Sequence, residues 1–336
     1  MNADSDESLK NTIIEAAQNR LSNIILSFMP LDHMNSDGAS ALVKTSELAK
    51  QHKIKLFAYG LNARYREIFN VTGISRNITV LSDLTGDIGG LSKAEVGQTK
   101  ENTDSKGRQD DNGWSPNLLK LRVTEKPKGA INKNVDGRRV VGPLQGFGPI
   151  WQKTYWLTVD KPELKPAEVI NIMKQHFPEF QPSYNRFYPS SGGITEGNIV
   201  LIDSLTPGGL VSTGVLVLYS DELSFTLMTP HGHPEAGWVT FSARESGKAI
   251  ILQIQGLASA SDPFYEFAFR IAGSKLQESI WKYVLSSLAA HIGIASDVKM
   301  AKTCISPRLK WANTGNLWHN AQIRSLPYNL TRIFSR

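Results

Sequence analysis

Residues 213–260 read TGVLVLYSDELSFTLMTPHGHPEAGWVTFSARESGKAIILQIQGLASA, and residues 274–292 read SKLQESIWKYVLSSLAAHI. In the first string Leu216, Leu218, Phe225, Leu227, Trp238, Phe241, Ile250, Leu252 and Ile254 recur at alternating spacing. Turn formers interrupt it at Ser220-Asp221-Glu222, from Pro230 to Glu235, and at Glu245-Ser246-Gly247-Lys248. A period of two predicts four successive strands in a sheet with one buried face. The second string carries Leu276, Ile280, Val284, Leu288 and Ile292, one apolar residue every four, which predicts a long helix lying on something apolar. A curved antiparallel sheet holding one long helix is a container more often than an active site.

The rest of the chain sets limits on this reading. At 336 residues it is long for one domain and comfortable for two. Each half is large enough to bury a core without staples. Cys304 is the single cysteine, which rules out an internal disulfide and suits a reducing compartment. The opening Met1-Asn2-Ala3-Asp4-Ser5-Asp6-Glu7 is acidic and has no apolar core, so no signal peptide is expected. The apolar run Ile24–Leu31 is interrupted by Ser27 and Pro30 and is too short to span a bilayer. A cytoplasmic protein with no membrane span is expected. The formal charge of +6 comes from basic residues spread along the chain rather than from a block beside stacking aromatics, so nucleic acid is not an expected partner.

Upstream of the meander, Trp151 to Val159 reads as a strand, with Trp151, Tyr155 and Trp156 able to line a large interior. Pro166 begins a helix where its missing N–H costs nothing, and Val169, Ile170, Met173 and Phe177 give that helix an apolar face. Asn198–Asp203 is a further strand. Asp262-Pro263 opens the final helices, with a break expected at Gly273. The order strand, helix, meander, long helix resembles the START-like, helix-grip (SRPBCC-type) superfamily. Ile194-Thr195-Glu196-Gly197, the Gly232-His233-Pro234-Glu235-Ala236-Gly237 turn and the Gln277-containing helix resemble, more narrowly, a family of domains of unknown function within it. The resemblance covers residues 147–293. It implies a hydrophobic cavity between sheet and helix and supplies no activity.

Residues 1–84 alternate helices and strands, implying a mainly parallel sheet with covered faces. The expected helices are Leu9–Leu21, Ala39–His52 and Asn62–Asn70; the expected strands are Asn23–Met29, Ile54–Gly60 and Ile78–Leu81. The Asn35-Ser36-Asp37-Gly38 turn, Ser40-Ala41-Leu42, Ala58-Tyr59-Gly60-Leu61 and Ile68–Ile74 resemble the STAS domain of sulphate transporters and anti-sigma-factor antagonists. That resemblance implies a protein-interaction module. The residue before the turn glycine, phosphorylated in that family, corresponds to Asp37, with Ser36 beside it. A carboxylate there carries less charge than a phosphate, and the simpler role for Ser36 and Asp37 is to cap the following helix. STAS domains open with two strands before the first helix. Here the sheet is shortened, or those strands come from elsewhere.

Residues 85–145 read as a flexible polar linker, with a short strand over Asn117–Val123 and with Arg138 and Arg139 exposed beside Gly137. The second domain is then 146–336. Its expected cavity-lining residues are Trp151, Tyr155, Trp238, Leu276, Ile280, Tyr283 and Val284. His231, His233 and Glu235 share one face only if extended, yet they fall in a turn, so a hydrogen-bonding role for His233 is expected and no metal. Glu266 and Arg270 stand four apart, as a surface ion pair does, and Asp262 caps a helix. No Ser/His/Asp set, phosphate loop or dinucleotide fingerprint is present, and no cofactor is expected. The tail from Trp311 to Ile323 keeps enough aromatics to pack back on the domain, over the cavity mouth. The leading expectation is a two-domain, non-catalytic regulatory or ligand-binding protein. In it a STAS-like module meets a protein partner and a helix-grip domain holds an apolar, lipid-like small molecule. The alternative is a helix-grip enzyme of the cyclase or hydrolase kind. That alternative requires Asp221, His231, His233 or Glu266 to face the cavity.

Overall fold

The computed structural model describes residues 1, 5–29, 31, 33–82, 113–116, 118–161, 163–206, 209–295 and 297–325. The chain forms two compact units, 1–112 and 113–336. The first, among its described residues, runs α1 (Ser5–Gln18), β1 (Asn23–Ser27), α2 (Ser36–Gln51), β2 (Lys55–Tyr59), α3 (Ala63–Thr72) and β3 (Ile78–Val80). The strands form a parallel sheet in the order β1-β2-β3, as the alternation of helix and strand requires. Leu42, Val43, Ile68, Phe69 and Ile74 fill its core. The cap of α2 differs from expectation: Asn35 is the N-cap, its Oδ1 accepting from Gly38 N at 3.1 Å, with Ser36 and Asp37 already inside the first turn. Gly73 ends α3 at φ +81°, the left-handed conformation that glycine adopts without strain.

The second unit is built on eight antiparallel strands. In chain order these are β4 (Ile150–Val159), β5 (Asn185–Pro189), β6 (Ile199–Thr206), β7 (Gly209–Ser220), β8 (Ser224–Met228), β9 (Glu235–Ser246), β10 (Ala249–Ala260) and β11 (Lys299–Ser306). Their spatial order is β11-β4-β10-β9-β8-β7-β6-β5. Helix α4 (Pro166–Gln175) follows β4; α5 (Pro263–Ala268), a π turn (Phe269–Gly273) and α6 (Ser274–His291) follow β10. One face of the sheet carries Leu157, Val159, Val217, Phe225, Phe241, Ile250, Leu252 and Ile254, and these pack with Val169, Ile170 and Met173 of α4 and Val284, Leu285 and Leu288 of α6. This is the helix-grip arrangement: an antiparallel sheet with a long helix lying on it.

The sheet is buried on both faces, where one was expected. Leu216, Leu218, Met228, Ala236 and Trp238 alternate out of phase with the helix-covered set, yet each is at most 3% exposed. Residues 113–145 cover them. Trp114 sets its ring 5.2 Å from that of Tyr219, Ser115 N donates to Leu218 O, Val141 N donates to Thr229 O, and Val140 bridges Pro230. Further along, Ile131 N donates to Asp203 Oδ2 at 3.0 Å, and Asn134 Nδ2 donates to Ser212 O. The expected 85–145 linker is therefore corrected from Gly113 onward. Leu118, Leu121, Val135, Val140 and Val141 are buried there, while Leu119 is 66% exposed. No strand forms over the described residues of 117–123.

Two further corrections follow from packing. Gly273 does not break the helix, because the chain continues through the π turn. A Cβ at Gly273 would stand 2.5 Å from the Phe269 ring, so the glycine is there to admit that ring. β11 and β5 were not expected; β11 is a mostly exposed edge strand whose Lys299 and Lys302 guard it against further pairing. The tail does pack back, through Asn320, Ala321 and Ser325, while Trp311 and Trp318 remain 69% and 85% exposed.

If the outer cover completes the core, a chain starting at Gly146 will lack cooperative thermal unfolding by circular dichroism, whereas one starting at Gly113 will unfold in a single sharp transition. Superimposable melting curves for the two would show that the cover is dispensable.

Candidate functional site

The cavity of the second unit arises from a gradient in side-chain size. Along the helix-covered face of β10 the residues run Ile250, Leu252, Ile254, then Gly256, Ala258, Ala260. Pairing places Gly256, Ala258 and Ala260 opposite Val239, Gly237 and Glu235 of β9, and Gly256 opposite Lys153 of β4. The large residues meet Val284, Leu285 and Leu288 of α6 in a solid core. At the other end Ser274, Gln277 and Trp281 of the same helix stand over glycine and alanine. Close packing fails there, and about 450 Å³ of space remains. A Cβ on Gly256 would touch nothing within 4 Å.

Apolar side chains make up most of the wall: Tyr155, Phe187, Ile202, Val215, Leu227, Trp281 and Phe269. One side is polar. Lys153 Nζ donates to Gln277 Oε1 at 2.6 Å and Ser274 Oγ at 3.0 Å, and lies 3.3 Å from Glu278 Oε1. Gln277 Nε2 donates to Glu235 Oε2. Burial pushes the Glu235 carboxyl up, only partly countered by Lys153 and the Gln277 hydrogen bond. Tyr155 is fully buried, and its hydroxyl has no hydrogen-bond partner among the described residues. Burial first, then the charges of Glu278 and Glu235, push it far above the ordinary phenol range. Towards the rim Glu266 accepts from Arg270 Nε at 2.7 Å, and Lys302 Nζ sits 4.4 Å from the Trp151 ring centroid.

Of the residues predicted from sequence, Trp151 and Tyr155 line this space; Trp238 borders it from the out-of-phase positions of β9. The helix residues are corrected. Ile280 and Val284 belong to the solid core, Leu276 is half-buried against it, and Tyr283 is 49% exposed. The reason is phase and position: the stripe that presses on the sheet lies in the C-terminal half of α6, and the cavity lies under its first two turns. His233 and Glu235 face the cavity, and so does Glu266. His233 Nδ1 lies 3.1 Å from both the N and the O of Glu235, so the ring does fix its turn.

His231 points elsewhere, with Nε2 2.9 Å from Asn316 Oδ1 and its ring 4.1 Å from that of His319. Arg138 is half-buried where exposure was expected: its Nε donates to Asn134 O, and its Nη1 to the carbonyls of His231 and His319. Asp221 caps its own turn by accepting from Leu223 N and Ser224 N. Asp262 is the N-cap of α5, as expected, and also accepts from Asn320 Nδ2. The tail thus locks onto the far side of the His231 turn; its residues do not line the cavity. Among the described residues no group of three or more His, Cys, Asp or Glu is placed to hold a metal, and no helix is long and apolar enough to cross a membrane. In the first unit, Ser36 is 1% exposed and Asp37 is half-buried in the first turn of α2.

The first unit is STAS-like: the family model described as STAS domain matches residues 1–85. Comparison with curated proteins gives no match. Similar solved structures cover the second unit. The di-domain ARO/CYC StfQ from the steffimycin biosynthetic pathway is 11% identical over 44% of this chain and 53% of its own, with a TM-score of 0.33. The chain therefore spans about half of that protein. TTHA0849 from Thermus thermophilus is 13% identical over 42% of this chain and 96% of its own, at 0.33. Ginseng major latex-like protein 151 from Panax ginseng is 13% identical over 43% and 98%, at 0.29. The fold assignment stands on the strand order and helix placement described above.

Burial holds the His233 imidazole down at about pH 4, against an ordinary 6.5. Above pH 6.5 folded and unfolded forms are both neutral; as pH falls towards 4 only the unfolded chain gains the proton, so stability is lost in that window. Urea unfolding at pH 7 and pH 5 should show the wild type losing roughly 2 kcal/mol more than His233→Asn over that interval. Equal losses would mean that the ring is not buried neutral.

Proposed function

We propose that the chain is a two-module, non-catalytic binding protein whose second unit holds an apolar small molecule. The single observation that carries this is a cavity of about 450 Å³ walled mostly by aromatic and aliphatic side chains, with its polar groups gathered on one side. That volume suits a molecule of two to four fused or linked rings, or a lipid-like chain of similar size. The STAS-like unit then serves as the partner-binding module, so that ligand occupancy in one half of the chain is reported to a protein bound by the other. Asp37 stands in the first turn of α2, where the helix dipole favours negative charge. Ser36 is too buried to take a phosphate without opening the turn. A cytoplasmic setting belongs with this reading, since the ligand has to reach the cavity from an aqueous phase or a membrane surface.

A second reading is an enzyme of the cyclase or hydrolase kind. It draws on His233, Glu235 and Glu266 facing the cavity, the condition stated above for a catalytic role. It predicts conversion of a bound substrate rather than mere retention.

The test is to fill the space. Gly256→Leu puts a side chain into the gap from a position whose Cβ has nothing within 4 Å, in a strand that tolerates it better than glycine. Native mass spectrometry of gently purified wild type should show a co-purified apolar molecule, and the variant, with an unchanged far-ultraviolet spectrum, should show at least tenfold less. An unliganded wild type that also fails to take up N-phenyl-1-naphthylamine would remove the binding proposal.

A further inference from the structure

The polar side of the cavity is a directed chain of donors. Lysine has N–H donors and no acceptor, so Lys153 forces the oxygen of the Gln277 amide towards itself. The amide nitrogen is thereby turned towards Glu235 and donates to Oε2. The donors of Lys153 are spent on Ser274, Gln277 and Glu278, and Glu278 is its ion partner at 3.3 Å. The other cavity-side cations are also engaged: Arg270 by Glu266, and Lys302 by the Trp151 face and by Glu278 at 3.9 Å. Glu235 thus faces an otherwise apolar cavity with an amide against one oxygen and, among the described residues, no cation in ion-pair contact. Burial without an ion partner disfavours the ionised form of a carboxyl so placed. In its carboxylic acid form this group accepts from Gln277 at Oε2 and carries its proton on Oε1.

We propose that Glu235, oriented by Gln277 and Lys153, is the polar anchor of the cavity, donating a hydrogen bond from its carboxylic acid to a carbonyl oxygen of an otherwise apolar ligand. The inference rests on the ligand-binding reading above and adds the chemistry the ligand carries. The direction of donation runs one way, from ammonium to amide to acid to ligand, and each link polarises the next. Burial, which pushes the Glu235 carboxyl up, agrees with a neutral donor. A ligand without an acceptor oxygen would leave that donor dry, and a cationic ligand would have to draw the proton off it.

The probes are 2-acetylnaphthalene and 2-isopropylnaphthalene, which have the same shape and differ in one carbonyl. Each is titrated against wild type carrying fluorescent N-phenyl-1-naphthylamine. The ketone should displace the dye roughly five- to tenfold more effectively than the hydrocarbon, the worth of one net hydrogen bond. Glu235→Leu should abolish that preference while holding hydrocarbon affinity within about threefold. Glu235→Gln, whose amide still donates, should keep most of it, and Gln277→Leu should weaken it. A wild type that binds both naphthalenes equally, or a preference that survives in Glu235→Leu, overturns the anchor and leaves the cavity reading intact. The anchor is also overturned if 2-naphthylmethylammonium binds more tightly than either, since Glu235 would then be a counter-ion. If neither naphthalene enters the wild type, the binding reading itself fails and takes the anchor with it.

Discussion

A sheet whose inner residues shrink from isoleucine to glycine cannot be close-packed against a straight helix along its whole length. That constraint organises the second unit. At one end of α6 the sheet offers Ile250, Leu252, Ile254 and Phe241, and the helix answers with Val284, Leu285 and Leu288. At the other, Gly256, Ala258, Ala260 and Gly237 offer almost no volume. A helix cannot bend enough over two turns to follow the step, so space opens beneath its first residues. The π turn belongs to the same compromise. By adding one residue to the helical path it lets Phe269 and Arg270 reach the cavity wall, and Gly273 is what makes room for the Phe269 ring.

A wall with a void behind it needs support from the other side. The outer cover supplies it: residues 113–145 seal the out-of-phase positions of the same strands, and their backbone N–H groups donate to the Asp203 carboxylate and to the carbonyls of Leu218 and Thr229. With both faces buried, the central strands are apolar at nearly every position, as the run Val215–Tyr219 illustrates. The cavity is thus hollowed beside a close-packed core, and the polar groups within it are there as a set. Lys153, Gln277 and Glu235 satisfy one another, which is the condition under which buried polar groups are tolerated.

Much of this is legible in the sequence. The meander, the proline-led helix, the long C-terminal helix and the alternating first unit all follow from residue spacing, since periods of two and of about four are local properties. What escapes is set by distant partners. The phase of Leu216 and Leu218 is indistinguishable in sequence from that of Phe225 and Leu227, and only the cover shows that they belong to opposite faces. The cover itself is hidden because scattered single apolar residues, such as Trp114, Leu118 and Leu121, carry no period at all. The helix residues expected to line the cavity are those with the strongest stripe, and a strong stripe marks tight packing rather than a gap. The usable signal lies in β10, where the alternate residues lose their side chains one after another. The acid at the start of β9 stands out in its turn, but its link to Lys153 through Gln277 spans three separate elements.

The position of β4 has a consequence for how the chain is made. Its two neighbours in the sheet are β10 and β11, so Ile254 and Met300 flank Tyr155 although they are encoded about a hundred residues or more downstream. At about 5–20 residues per second, a ribosome exposes Trp151, Tyr155 and Trp156 for roughly five to twenty seconds before the first pairing partner has even been synthesised. The strand that floors the cavity is therefore a stretch in need of shelter in the nascent polypeptide, and the hollow it borders exists only once β10 and α6 have been made.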